Sequence, residues 1–180
     1  QGQPLREAST LLKYELEFIH VPSVLSAGEE EVMPNYIQNL DEAEYAVALY
    51  QLFRLSGILA ADLAVIASEA GQVDLIKEVL SKRCDWNSFF GRPAFVGTIE
   101  QSTGFRAKHV IISLVRTKSL GRLADFNLLD LAISRGNESA TILGNQALFN
   151  NTPLSSLPSD QPFASAQDIC SHVYDLSLKQ

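Results

Sequence analysis

HVIISLVRT, from His109 to Thr117, is the stretch that decides the fold. A short, nearly unbroken apolar run rich in β-branched residues predicts a strand buried on both faces, His109–Val115, ending on the polar pair Arg116-Thr117. Downstream, LLDLAISRG (Leu128–Gly136) carries helical spacing and predicts a helix over Asp125–Ser134. SATILGN (Ser139–Asn145) then gives a second apolar strand, Ala140–Leu143, which stops at Gly144-Asn145. Two buried strands joined through a helix imply parallel pairing, because a parallel crossover needs about a dozen residues.

The same alternation extends upstream. Lys13–Val21 predicts a strand, and Pro22–Pro34 an exposed loop in which Glu29-Glu30-Glu31 is a solvated acidic run. Asn39 followed by Glu42 is a capping-box pattern, and Asp41, Glu42 and Glu44 suit the first turn of a helix from Asp41 to Leu55 that stops at Gly57. Leu63–Ala67 is a short buried strand, Gly71–Arg83 a helix, Trp86–Pro93 a loop and Ala94–Ile99 a strand. Gln146–Asn150 is one helical turn. The expected organisation is a connecting segment over 1–13, one domain over 14–150, a Pro/Ser loop over 151–164 and a helix over 165–180 packed on the domain through Ile169, Val173 and Leu176. The fold class is α/β, three-layered, with a mainly parallel sheet covered by helices on both faces.

Composition narrows the function. With 21 acidic against 14 basic residues the formal charge is -7, so any polyanion must be met by a local basic patch. No apolar run approaches the roughly 20 residues of a membrane span. Cys84 and Cys170 stand alone, and His20, His109 and His172 are scattered, so no metal site is expected. No phosphate-cradling Gly-x-x-x-x-Gly-Lys-Ser/Thr and no Ser/His/Asp arrangement occurs. What remains is a set of polar strand ends, Ser68-Glu69, Thr98–Gly104, Arg116-Thr117 and Gly144-Asn145, where open parallel sheets bind ligands.

Motifs at those ends are specific. LAVIASEAGQ (Leu63–Gln72), VGTIEQSTG (Val96–Gly104), HVIISLVRT and the helix leading to Ser134-Arg135 occur in the order seen in the second RecA-like (P-loop NTPase-like) domain of superfamily 1 RNA helicases. NYIQNLDEAEY (Asn35–Tyr45), Lys82-Arg83-Cys84, Gly91-Arg92-Pro93, Ser113–Thr117 and Leu148-Phe149-Asn150 most resemble the Aquarius-type intron-binding spliceosomal proteins. The resemblance implies that Arg135 matches an arginine finger, a group worth about 10³-fold or more in phosphoryl transfer. It places Gln72, Gly104 and Arg106 toward nucleotide, and Thr98, Ser113, Arg116 and Thr117 toward RNA. No cofactor belongs to this domain, and ATP with magnesium enters only if an intact first motor domain is present. The implied partners are pre-mRNA introns, the first RecA-like domain of the same protein, helical-repeat splicing scaffolds and a cyclophilin-type prolyl isomerase, in the nucleus.

The sequence also departs from the family. Thr103 replaces the glutamine before Gly104, Arg106 and Lys108 stand at commonly acidic positions, and Glu69 replaces an aromatic residue. Gly136-Asn137 replaces Ala-Arg, and Asn127-Leu128 a basic pair. These changes gather on the side meant for nucleotide, so the expectation is a degenerate, RNA-binding scaffold. Two alternatives stand: the second half of an active ATP-dependent RNA helicase, and a protein-binding module without RNA contact. The last is favoured if Arg116 is paired internally, for example to Asp125.

Overall fold

The structure, a computed structural model, describes residues 15–150. The expected connecting segment, Pro/Ser loop and final helix lie outside the described residues.

Five strands form one sheet: β1 (Glu15–His20), β4 (Leu63–Ala67), β5 (Phe95–Thr98), β6 (Ala107–Ser113) and β7 (Gly136–Gly144), in the order β1-β7-β6-β4-β5. Every pairing is parallel. Residue alternation divides the core in two. Leu63, Val65, Ala67, Ile111 and Leu143 point to the face covered by α1 (Leu40–Leu55) and α2 (Ala70–Cys84). Ala64, Ile66, Val110, Ile112 and Ile142 point to the face covered by α3 (Phe126–Ile133). A last short helix, α4 (Gln146–Asn150), follows β7.

The three-layer α/β architecture is as the sequence implied, with differences of detail. Pro22–Pro34 is not all loop: β2 (Glu30–Met33) pairs antiparallel with β3 (Tyr36–Gln38) across a turn in which Asn35 takes φ 61°. All of β2 is exposed, so it carries no alternating apolar signature. β7 begins at Gly136 rather than Ala140, because the polar Asn137-Glu138-Ser139 extends along the sheet. β6 ends at Ser113, two residues early. Val115 adopts φ 69°, which a β-branched residue takes only under constraint.

Candidate nucleic-acid and nucleotide interfaces

At the carboxyl ends of the strands, β6 closes on a turn around Val115, whose neighbour Arg116 donates its N–H to Leu114 O at 2.7 Å. Such a left-handed γ-turn costs on the order of 1–3 kcal/mol and persists only when its surroundings hold it. Glu42 and Asn39 do so. The Glu42 carboxylate accepts from Val115 N–H and from the Ser113 hydroxyl, both at 2.7 Å, and Asn39 Nδ2 donates to Val115 O at 3.1 Å.

Gln72 completes this network. Its Oε1 accepts from Asn39 N–H at 2.7 Å, while Nε2 donates to Asn39 O and to Ser113 Oγ. Glu42, Gln72 and Ser113 are essentially inaccessible. Burial pushes the Glu42 carboxyl up to about 7, offset in part by hydrogen bonds from Ser113 and Val115 and increased by nearby Asp41. Asp41 goes the other way. Burial would raise it, but the N–H groups of Val24, Leu25 and Ser26 and the Ser26 hydroxyl outweigh that and hold it below its ordinary value.

Two expectations are therefore corrected. Gln72 does not face nucleotide, and Ser113 does not face RNA. Both side chains point beneath α1, whose first turn lies over the end of β6, and both are consumed in fixing that end. The capping pattern is half realised. Asn39 Oδ1 accepts from Glu42 N–H, but the Glu42 carboxylate leaves the cap for β6.

Arg116 and Thr117 emerge at this same edge. The Arg116 side chain, 12% exposed, lies 3.6 Å from a Glu29 oxygen and 3.8 Å from a Glu69 oxygen. Its partners are thus Glu29 and Glu69, while Asp125 caps α3 by accepting from Asn127 N–H. Internal pairing is the condition named above for the protein-only reading, but at 3.6 and 3.8 Å both contacts are longer than hydrogen bonds and leave the guanidinium's donors unspent, so the condition is met only in part. It also corrects the solvated acidic run at Glu29, which is buried, whereas Glu30 and Glu31 are exposed as expected. Glu69 sits above its ordinary carboxyl range because burial outweighs the attraction of Arg116 and Arg122, with Glu29 adding to the rise. Thr98, also buried, is spent locally: its hydroxyl accepts from Gln101 N–H, and Gln101 Oε1 accepts from Thr98 N–H.

Gly104, Arg106 and Arg135 meet at the opposite, amino-terminal edge, where Ala107 N–H donates to Arg135 O. Gly104 takes φ +83° with open space beside it. Arg106 is exposed and makes no ion pair among the described residues. Lys108, by contrast, is neutralised by Asp62 at 3.0 Å. Arg135 is half-buried and folded back: its guanidinium donates to Leu131 O at 3.1 Å, Ser134 Oγ at 2.9 Å and, more weakly, Phe105 O at 3.5 Å. Three of the four expected nucleotide-facing residues therefore share an edge, and Gln72 lies apart from it. Among the described residues no cluster of His, Cys, Asp and Glu could hold a metal ion.

Comparison with known proteins agrees with the α/β fold. The model of a family described as an AAA domain matches residues 3–147. The chain belongs to that AAA domain family. The mouse RNA helicase aquarius is 36% identical over 152 residues, which cover 83% of this chain and 10% of the relative. The Schizosaccharomyces pombe pre-mRNA-splicing factor cwf11 is 37% identical over 140 residues, covering 77% and 11%. An Arabidopsis thaliana regulator of nonsense transcripts 1 homolog is 25% identical over 132 residues, covering 71% and 10%. The chain spans about a tenth of the length of these relatives. Within the family it is an Aquarius-type helicase-like domain of RecA-like α/β fold.

For this AAA domain, Glu42, Asn39, Asp41 and Glu29 are the residues that sequence reading undervalued. Acidic residues near a helix start have an adequate surface explanation, and only the placement of that start over β6 assigns them work. A signal did exist for Glu42: it lies in the NLDEAEY segment, one of the specific stretches of the resemblance.

Proposed function

We propose that this domain is an RNA-contacting scaffold of a nuclear pre-mRNA splicing factor rather than half of a working motor. The relatives' names support the splicing assignment, and Arg135 carries the rest of the reading. An arginine finger acts by reaching a phosphoryl group across a cleft. Here the guanidinium is tied to the carboxyl end of its own helix and to the Phe105 carbonyl. It reaches a phosphate only by giving up those bonds. Of the residues expected to face nucleotide, those with side chains at this edge are Arg106 and Arg135. They suit phosphate oxygens and supply no oxygen ligand for magnesium. ATP with magnesium would thus depend on a first RecA-like domain of the same protein.

The partners that fit this reading are intron RNA, that first domain, helical-repeat spliceosomal scaffolds and a cyclophilin-type prolyl isomerase. The expected result for the full-length protein is an ATP turnover that RNA does not stimulate, with Arg135→Ala changing the rate less than about twofold and leaving RNA retention intact. Phosphate release measured with and without RNA checks both. A second reading, the active helicase half, draws on the retention of Gly104 and Arg135 at one edge. RNA-stimulated turnover that collapses in Arg135→Ala would establish it.

A further inference from the structure

The Arg116 guanidinium carries five N–H donors in a fixed fork, yet it makes no hydrogen bond among the described residues. Its two carboxylate neighbours stand at 3.6 and 3.8 Å, beyond hydrogen-bonding distance, and the buried Nε has no partner. The place is nonetheless built for it. Gly121, at φ +51°, lies against the guanidinium, and a Cβ there would collide with it.

Beside Arg116 and its two carboxylate neighbours, several donors gather. Thr117 N–H and Lys118 N–H point at one oxygen of Glu29, at 2.6 and 3.2 Å. Lys118 Nζ donates to Glu29 O at 3.1 Å, and the Thr117 hydroxyl accepts from Glu29 N–H at 3.0 Å. Two consecutive backbone N–H groups and a guanidinium, with an ammonium alongside, make an oxyanion cradle. Its present occupant is a carboxylate at the end of a largely exposed strap, Pro22–Ala27, whose middle is fastened to Asp41.

We propose that this cradle binds a phosphodiester of single-stranded RNA, and that Glu29 occupies it as an internal competitor that RNA must displace. The proposal rests on the RNA-contacting reading above. Phosphodiester and carboxylate carry one negative charge each, so the exchange leaves the local charge unchanged. It also relieves the unmade bonds of Arg116, because a tetrahedral phosphate presents more oxygens to the fork than the distant carboxylates do. Glu69 stays behind Arg116 and holds the guanidinium in register.

The test is binding of a fluorescent oligouridine to the full-length protein over a range of salt concentrations. Glu29→Gln should bind roughly 3- to 10-fold tighter, with a salt dependence steeper by about 0.7 in log–log slope, the mark of one added phosphate contact. Arg116→Ala in the Glu29→Gln background should abolish the gain. Lys118→Ala, on an exposed side chain, should at least halve it. The exposed neighbour Glu30→Gln controls for net charge. An equal gain from Glu30→Gln, or a gain that survives both cradle substitutions, overturns the proposal. If Arg116→Ala weakens RNA binding but Glu29→Gln does not strengthen it, the competitor is refuted while the RNA reading stands. If no variant changes RNA binding, both fall. Thermal melts of every variant separate these outcomes from misfolding.

Discussion

Between about pH 5 and pH 8 the protein is expected to lose about 2–3 kcal/mol of folding stability that a Glu42→Gln variant keeps. The sign follows from where the proton sits. Unfolded, Glu42 titrates near the ordinary glutamate value of 4.5; folded, burial raises it to about 7. The native state therefore holds this proton more tightly across that interval. The associated stability is complete below the unfolded value, declines as pH rises, and is spent once the folded carboxyl has ionised. Asp41 and His109, both held below their ordinary values, act in the opposite direction, their contributions being lost as pH falls. The substitution leaves those two in place, so subtracting the variant's profile isolates Glu42. Urea unfolding of both proteins across the pH range is the measurement. Parallel profiles would mean that the carboxyl is solvated and does not hold the β6 terminus as described.

Gln72→Ala is expected to cost about 2–4 kcal/mol, lowering the melting temperature by about 6–12 °C. The loss has identifiable parts. The buried N–H of Asn39 loses its acceptor, Asn39 O and Ser113 Oγ lose a donor, and the removed side chain leaves a void at a fully buried position. Surface glutamines rarely cost more than about 0.5 kcal/mol. Calorimetry therefore distinguishes a structural Gln72 from a nucleotide-facing one. The second readout is nucleotide binding by the folded variant, which should be unchanged because Gln72 lies away from the edge holding Gly104, Arg106 and Arg135.

The fold was legible wherever burial leaves a pattern. The runs of β4 and β6, covered on both faces, announce parallel strands, and the apolar spacing of α1 and α2 locates their helices within a residue or two. Exposed pairing leaves no such trace. β2 has no face to bury, and the start of β7 is polar. The candidate site was legible by type more than by direction. Motif matching found Gln72, Ser113, Arg116 and Arg135 at the right elements, but it could not tell that the first two point inward. Direction depends on how α1 crosses the end of β6. That crossing is a contact between residues 71 to 76 positions apart, and local pattern cannot encode it.

The left-handed Val115 has one more implication, for anyone editing this protein. A chain that reverses within a single residue, gripped from above by two side chains of another helix, has no slack to absorb a change in length. Adding or deleting one residue between Ser113 and Thr117 would shift the Arg116 fork off its seat above Gly121 while leaving the sheet intact. Tags, labels and spacer insertions belong instead near Gly57, where the backbone is exposed and an added Cβ would meet nothing.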